Sequence, residues 1–351
     1  MIFPIFSYTF QIEAETCVSA SKSFMRFFMS NSIGLYIHIP FCKHKCPYCD
    51  FFSGNADENA FDNYVIELKD KIKYWSEKAK RDVATVYFGG GTPTTLSAEQ
   101  LDTVLKTVNK SFDMSTCREF TVEAGRPDTI DIAKLFALKE NKVDRISINP
   151  QTVNDEVLKT IGRKHTAKQF FDAFELARKC GFDNINTDLI AGLPTDTPES
   201  FKNSLDSIVR LNAECITVHT LCMKRASRLT TEGVTLDLQQ ARDAREMLAY
   251  TQNILGQNEY IPYYMYRQSR MVGNLENVGW SKRGFESLYN VYVMDETHTI
   301  LACGSGGVTK LKRNNPDYLE RIFNFKYPYE YIDRFDELIQ RKSGIMQFYG
   351  Q

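Results

Sequence analysis

Six short runs rich in apolar, β-branched and aromatic residues punctuate the first two thirds of the chain. They are GLYIHIPF (34–41), VATVYFG (83–89), EFTVEAG (119–125), RISIN (145–149), NINTDLIAGLP (184–194) and CITVHTL (215–221). Runs of this length and composition predict buried strands. Between them, helical spacing falls near 57–80, 97–111, 128–140, 166–180 and 196–211. Two of these stretches open with helix-entry chemistry: Ser97 with Gln100 three residues on, and Thr195 ahead of Asp196 and Glu199. Strand–helix alternation with buried strands predicts an α/β chain with a parallel sheet. Six such units, where a closed barrel needs eight, predict a partial (βα)6 barrel.

Beyond about residue 230 the pattern changes. Residues 237–256 read as one long amphipathic helix, followed by the aromatic segments YIPYYMY and ESLYNVYVM and a final helix near 328–341. This predicts a barrel over 33–230 and a smaller C-terminal domain over 231–351. Residues 1–32 are set apart as an N-terminal extension. Met29 begins MSNSIGLYIHIPFC, a natural lead into the first strand, so 1–28 read as an upstream extension or a misplaced start.

Charge narrows the function classes. Lysine and arginine total 43 against 44 acidic residues. That balance argues against a nucleic-acid surface, and any anion site must be a local cluster. The longest uncharged runs, 27–42 and 83–98, contain Pro, Gly or polar residues and make no membrane span. The apolar first twelve residues lack a basic leader and run straight into Glu13 and Glu15, a poor signal peptide. Nine cysteines are too sparse for a disulfide scaffold. The expectation is a reducing, cytoplasmic setting. Cys17, Cys117, Cys180, Cys215, Cys222 and Cys303 are scattered and read as small apolar fillers.

The other three stand together. Cys42, Cys46 and Cys49 form C-x3-C-x2-C directly after the first predicted strand. Three thiolates on one loop can hold three irons of a 4Fe–4S cluster, whereas electron-transfer clusters commonly use four. The open fourth iron then suits the amino and carboxylate groups of S-adenosylmethionine (SAM). An electron passed into its sulfonium would release methionine and a 5′-deoxyadenosyl radical. The alternative is a zinc knuckle completed by His38 or His44, although zinc sites usually pair two separated ligand couples. His44, between two of the cysteines, is expected to face solvent.

Tyr36-Ile-His-Ile-Pro-Phe-Cys42, the cysteine spacing and Gly89-Gly-Gly-Thr-Pro93 resemble the radical SAM superfamily. More narrowly, they resemble its oxygen-independent coproporphyrinogen oxidase branch, over about residues 33–310. EFTVEAGRPDTI, RISINPQTVN, IGRKHT and HTLCMKRAS are most similar to the coproporphyrinogen III dehydrogenase subgroup of Gram-positive bacteria. That resemblance implies a radical SAM barrel carrying a 4Fe–4S cluster and SAM. It implies that Gly90, Gly91 and Thr92 contact the methionyl part of SAM, with Tyr36 close by and Tyr48 near the cluster. Glu123, at the end of the third strand, would accept both ribose hydroxyl hydrogens; Tyr36 and Glu123 are the catalytic candidates.

Gln151, Arg163 and Asp188 would be ligands of SAM, or of a second SAM molecule. A purely structural reading instead pairs the costly interior Asp188 with a cation such as Arg163. Val308, in the segment GSGGVT, would reach back towards SAM, although a plain tight turn serves equally well. His219 divides evenly between a core histidine and a substrate contact.

One position departs from the proteobacterial members, which carry a further cysteine two residues after the third. Here it is Phe51, as in shorter relatives, some of which bind or deliver haem. The leading expectation is oxidative decarboxylation of coproporphyrinogen III propionates to vinyl groups, with an unidentified electron donor. A haem chaperone is the alternative, and an enzyme acting on another tetrapyrrole is a third reading. Four propionates call for a local basic group, for which Lys224, Arg225 and Arg228 are the candidates.

Overall fold

The computed structural model describes residues 32–49, 58–222, 238–268, 271–314 and 317–349. All six predicted strands are present: β1 (Ile33–Ile39), β2 (Val83–Gly90), β3 (Glu119–Glu123), β4 (Arg145–Ser147), β5 (Asn184–Ala191) and β6 (Cys215–Thr220). They lie side by side in chain order, each parallel to the next. This is the partial barrel that the strand–helix alternation predicts.

The two faces of these strands differ. Leu35, Ile37, Val86, Phe88, Val122, Ile146, Ile185, Leu189, Ile216 and Val218 belong to the main apolar core, under the surrounding helices. The alternate positions are polar. Asn186 Nδ2 donates to Ser147 Oγ (3.0 Å) and Asp188 Oδ1 (2.7 Å), and Thr217 donates to Asn186 Oδ1 (3.1 Å). Strand side chains alternate between faces, so a barrel with apolar residues outside and polar ones inside has an interior suited to a ligand.

Helix boundaries follow their caps. Ser97 and Gln100 form a reciprocal capping box at the start of the helix Ala98–Ser111, as expected. Thr166 and Gln169 form a second, ahead of Ala167–Lys179. The helix Pro198–Arg210 corrects the expectation for Thr195. Thr197 caps it, accepting from the Ser200 N–H, while Thr195 sits at φ +64° in the preceding turn. Pro198 supplies the first-turn φ at a position where no N–H partner is needed.

The C-terminal part extends both edges of the same sheet. β8 (Asn277–Ser281) pairs antiparallel with β6, and β7 (Ile261–Tyr266) pairs antiparallel with β8 at the outer edge. β9 (Ile300–Cys303) lies parallel to β1, with β10 (Val308–Asn314) and β11 (Asp317–Phe323) antiparallel beyond it. Of the two aromatic segments, YIPYYMY is therefore largely strand, while ESLYNVYVM supplies the helix Leu288–Met294. The expected single helix over 328–341 is broken into Pro328–Asp333 and Phe335–Arg341, with Ser343–Tyr349 after them. Among the described residues, no helix is long and apolar enough to cross a membrane.

Candidate active site

The C-terminal ends of the strands form the barrel mouth, and the cysteine loop leaves β1 there. Two backbone bonds tie its entry to the loop after β2: Gly91 N–H to Ile39 O (2.8 Å) and Thr92 N–H to Phe41 O (2.7 Å). Gly90 makes this approach possible. Its φ is +116°, and a side chain there would stand 2.6 Å from Ile39 O. The glycine run thus first serves close contact between the two loops. Thr92 Oγ1 lies 3.5 Å from Cys42 Sγ.

Cys42 and Cys49 are half-buried, Cys46 is buried and His44 is exposed, as the sequence predicts for His44. None of the three thiols is in a disulfide. The loop turns through Cys49 N–H to Cys46 O (3.0 Å) and rests on the segment after β4, where Pro47 packs against Gly162. Among the described residues, no three His, Cys, Asp or Glu side chains converge tightly enough to share one ion. Three thiolates that each take a separate corner of a cluster need no such convergence, and three soft sulfur donors on one loop fit that group. His38, a candidate zinc ligand, is buried and engaged with Tyr36, whose hydroxyl lies 3.0 Å from His38 Nδ1. Burial lowers the His38 pKa to about 4, so its imidazole is neutral.

Glu123 projects from the end of β3 into the mouth. The Tyr87 hydroxyl donates to it at 2.6 Å, and the Gly90 N–H donates as well. Removal from water still dominates, assisted by the charge of Asp188, and its pKa rises to about 7. Below it, Tyr87 stacks on Tyr289 (4.3 Å between ring centroids, 20°), and Tyr36 stacks beside both at 6.3 and 6.0 Å. These three rings make an aromatic floor beneath the carboxylate.

The other named residues divide between the loop and the opposite wall. Tyr48 lies against Cys46 and Cys49, and Arg163 donates to its hydroxyl. Arg163 also reaches Asn149 O (3.2 Å) and Gly125 O (3.5 Å). The structure therefore does not bear out the pairing of Arg163 with Asp188. Asp188 is held by Asn186 and lies 3.6 Å from His219 Nε2, which is half-buried beside the Tyr266 hydroxyl (3.5 Å). Gln151, at φ +69°, prolongs the β4–β5 ladder by a single bridge to Leu189.

The GSGGVT segment is more than a free turn. Gly304 (φ +102°) packs against the backbone of His38, and Val308 begins β10 close to the mouth. Lys224, Arg225 and Arg228 lie outside the described residues, as do Cys17 and Phe51.

Reading the sequence missed three features here. Arg126 is buried against Cys46; its signal was its place three residues after Glu123. The short helix Asp155–Thr160, capped by Asn154, backs the loop and lacks the length that makes a periodicity visible. Tyr87 and Tyr289 carry no signal of a site in the sequence, yet they form the floor under Glu123.

A family profile described as the Radical SAM superfamily matches residues 36–208. The oxygen-independent coproporphyrinogen-III oxidase-like protein HemZ of Bacillus subtilis is 39% identical over 325 residues, covering 91% of this chain and 65% of that protein. The chain thus spans just under two thirds of the length of that relative. The heme chaperone HemW of Lactococcus lactis is 34% identical over 290 residues, covering 80% of this chain and 71% of the chaperone. The solved structure of the coproporphyrinogen III oxidase HemN of Escherichia coli, a radical SAM enzyme, superposes with a TM-score of 0.70 at 21% identity. That match covers 92% of this chain and 79% of that one, a likeness of fold. With the cysteine loop at the mouth of a partial barrel, these similarities show that the chain belongs to the radical SAM superfamily, whose members use a 4Fe–4S cluster and SAM, and to the group within it that holds coproporphyrinogen oxidases and haem chaperones alike.

Proposed function

We propose that the protein oxidatively decarboxylates propionate side chains of coproporphyrinogen III, two rounds of which give protoporphyrinogen IX. The observation that carries this reading is the polar inner face at the barrel mouth, which gathers the rings of Tyr36, Tyr87 and Tyr289 with Glu123, Asp188 and His219 in the sheet whose β1 leads into the cysteine loop. A reactive radical needs such a lined site beside its source.

In this reading Cys42, Cys46 and Cys49 hold the cluster. When bound, the cluster and SAM supply an electron and a 5′-deoxyadenosyl radical. Gly90, Gly91 and Thr92 hold the methionyl end through backbone groups. Glu123, ionised, accepts the two ribose hydroxyls, and Tyr87 fixes its orientation. Gln151, Arg163, Asp188 and Val308 line the remaining contacts of the nucleoside or of a second SAM. Tyr36 and Tyr289 keep water from the reacting carbon. The substrate gives up a hydrogen atom from the propionate β-carbon, then loses carbon dioxide and one electron to an external acceptor, leaving a vinyl group. Lys224, Arg225 and Arg228, in the segment that follows β6, receive the propionates that do not react. Arginine suits them because its planar fork pairs with a carboxylate.

The test is anaerobic incubation of reconstituted protein with coproporphyrinogen III, SAM and a reductant. The reading predicts protoporphyrinogen IX and consumption of SAM. The second reading, a haem chaperone, draws on the 34% identity to the Lactococcus lactis chaperone and on Phe51 in place of a fourth cysteine. Stoichiometric haem binding without decarboxylation would favour it.

A further inference from the structure

Arg126 is 1% exposed, although nothing in the proposed reaction uses it. A guanidinium has five N–H donors in a fixed plane, so its partners can be assigned in turn. Nε donates to Asp128 Oδ1 (3.1 Å) and Nη2 to Asp128 Oδ2 (3.4 Å), a two-point lock that fixes the plane. Nη1 is left pointing at the cysteine loop. It donates to His44 O (3.1 Å) and to Cys46 Sγ (3.7 Å), 80 residues away in the chain. The turn that carries Arg126 is itself fixed, because Thr129 donates back to Arg126 O from its N–H (3.0 Å) and its hydroxyl (2.8 Å). Thr129 in turn lies 2.7 Å from Thr94, in the loop after β2.

We infer that Arg126 is a positioning residue for the cluster: locked by Asp128, it donates to the sulfur of Cys46 and thereby makes the cluster easier to reduce. The inference rests on the reading that Cys42, Cys46 and Cys49 hold that cluster. Reduction adds negative charge to the iron–sulfur core. A hydrogen bond to a ligating sulfur, and a fixed positive charge in a site withdrawn from water, both favour the more negative state. The same two contacts hold the loop between Cys42 and Cys46 in shape, so the residue sets geometry and potential together.

An EPR-monitored redox titration of the reconstituted protein tests this without reference to turnover. Arg126→Gln should load iron as the unaltered protein does, yet show a reduced-to-oxidised cluster ratio about 10-fold lower at the unaltered protein's midpoint poise. For a one-electron couple that is a midpoint about 59 mV more negative. Arg126→Lys, which keeps the charge, should recover most of the shift. Should Arg126→Gln fail to fold or load iron, Arg126→Met decides, since it fills similar space without the charge or the donors and should lower the midpoint in the same direction. A fully loaded Arg126→Gln, or in its place Arg126→Met, with an unchanged midpoint overturns the inference. If the unaltered protein itself takes up no iron, the cluster reading fails first, and the iron assay separates that outcome from this one.

Discussion

Strand β3 carries two glutamates four residues apart on the same inward face, and they could hardly differ more. Glu119 lies at the closed end of the barrel. It accepts from the hydroxyls of Ser287 (2.9 Å) and Thr121 (3.0 Å) and from the Leu288 N–H, so it caps the helix Leu288–Met294. Glu123, at the mouth, has one side-chain donor, Tyr87, and a pKa raised to about 7. The cysteines repeat the contrast. Cys215, at the closed end, accepts from buried Arg145 at 3.0 Å and itself donates to Phe285 O. Cys46, at the mouth, accepts from Arg126 while two further thiols share its loop. Of the two glutamates the one at the closed end is saturated by protein partners and the one at the mouth keeps capacity, while of the two cysteines only the one at the mouth shares its loop with further thiols. A buried polar group with unused capacity is where a ligand is expected.

The largest effect separates the cysteines. Cys46→Ala, like Cys42→Ala or Cys49→Ala, should abolish SAM cleavage and cut iron content. Cys215→Ala should keep both, with any loss confined to stability. A brown, iron-loaded Cys46→Ala protein would break the comparison.

In the segment after β6, Arg225→Ala and Arg228→Ala should each lower porphyrinogen turnover by ~10-fold or more, because charge-assisted hydrogen bonds contribute ~1.5–3 kcal/mol. Uncoupled SAM cleavage should survive in both. Unchanged turnover would move the propionate contacts to another segment.

The glutamates sharpen the contrast through pH. In the proposed reading Glu123 accepts the ribose hydroxyls only when ionised, so binding should strengthen as pH rises through its raised pKa. Calorimetry of reconstituted protein should show SAM binding about tenfold tighter at pH 8 than at pH 6, and Glu123→Gln should bind weakly with that dependence gone. Stability moves the other way. The folded chain keeps a proton on Glu123 that the unfolded chain releases above its ordinary value of 4.5. Stability therefore falls as pH climbs from about 4.5 to about 7, and Glu123→Gln should flatten that slope. A pH-independent affinity in the unaltered protein would place Glu123 outside the SAM contacts.

The smallest effect on function belongs to Glu119. Glu119→Ala strands the donors of Ser287, Thr121 and Leu288, at a cost of about 2–4 kcal/mol in urea unfolding. SAM affinity per folded molecule should not change. Reduced affinity at full folding would show that the two ends are coupled.

Much of this was legible in the residues. The six strands carry their own signal, because each is a short apolar run between helical stretches, and Ser97 with Gln100 marks a helix start without tertiary help. The cysteine spacing marks the loop by itself. What resisted reading depends on contacts distant in sequence. Cys215 looks like an apolar filler until Arg145 reaches it from β4, 70 residues away. Glu119 and Glu123 are the same residue type on the same strand, and only their neighbours from other elements tell them apart. Thr195 and Thr197 compete for one helix start, and the choice falls to the residue directly before Pro198, where the chain is already extended. Beyond residue 230 the chain adds strands to both edges of an existing sheet, so no local period announces where each segment pairs.

The most direct test follows an atom. Coproporphyrinogen III deuterated at the β-carbons of its propionates, incubated anaerobically with reconstituted protein, SAM and a reductant, should pass deuterium into 5′-deoxyadenosine. One label should move for each vinyl group formed. Unlabelled 5′-deoxyadenosine with no vinyl product, from protein that carries a full cluster, would contradict the account.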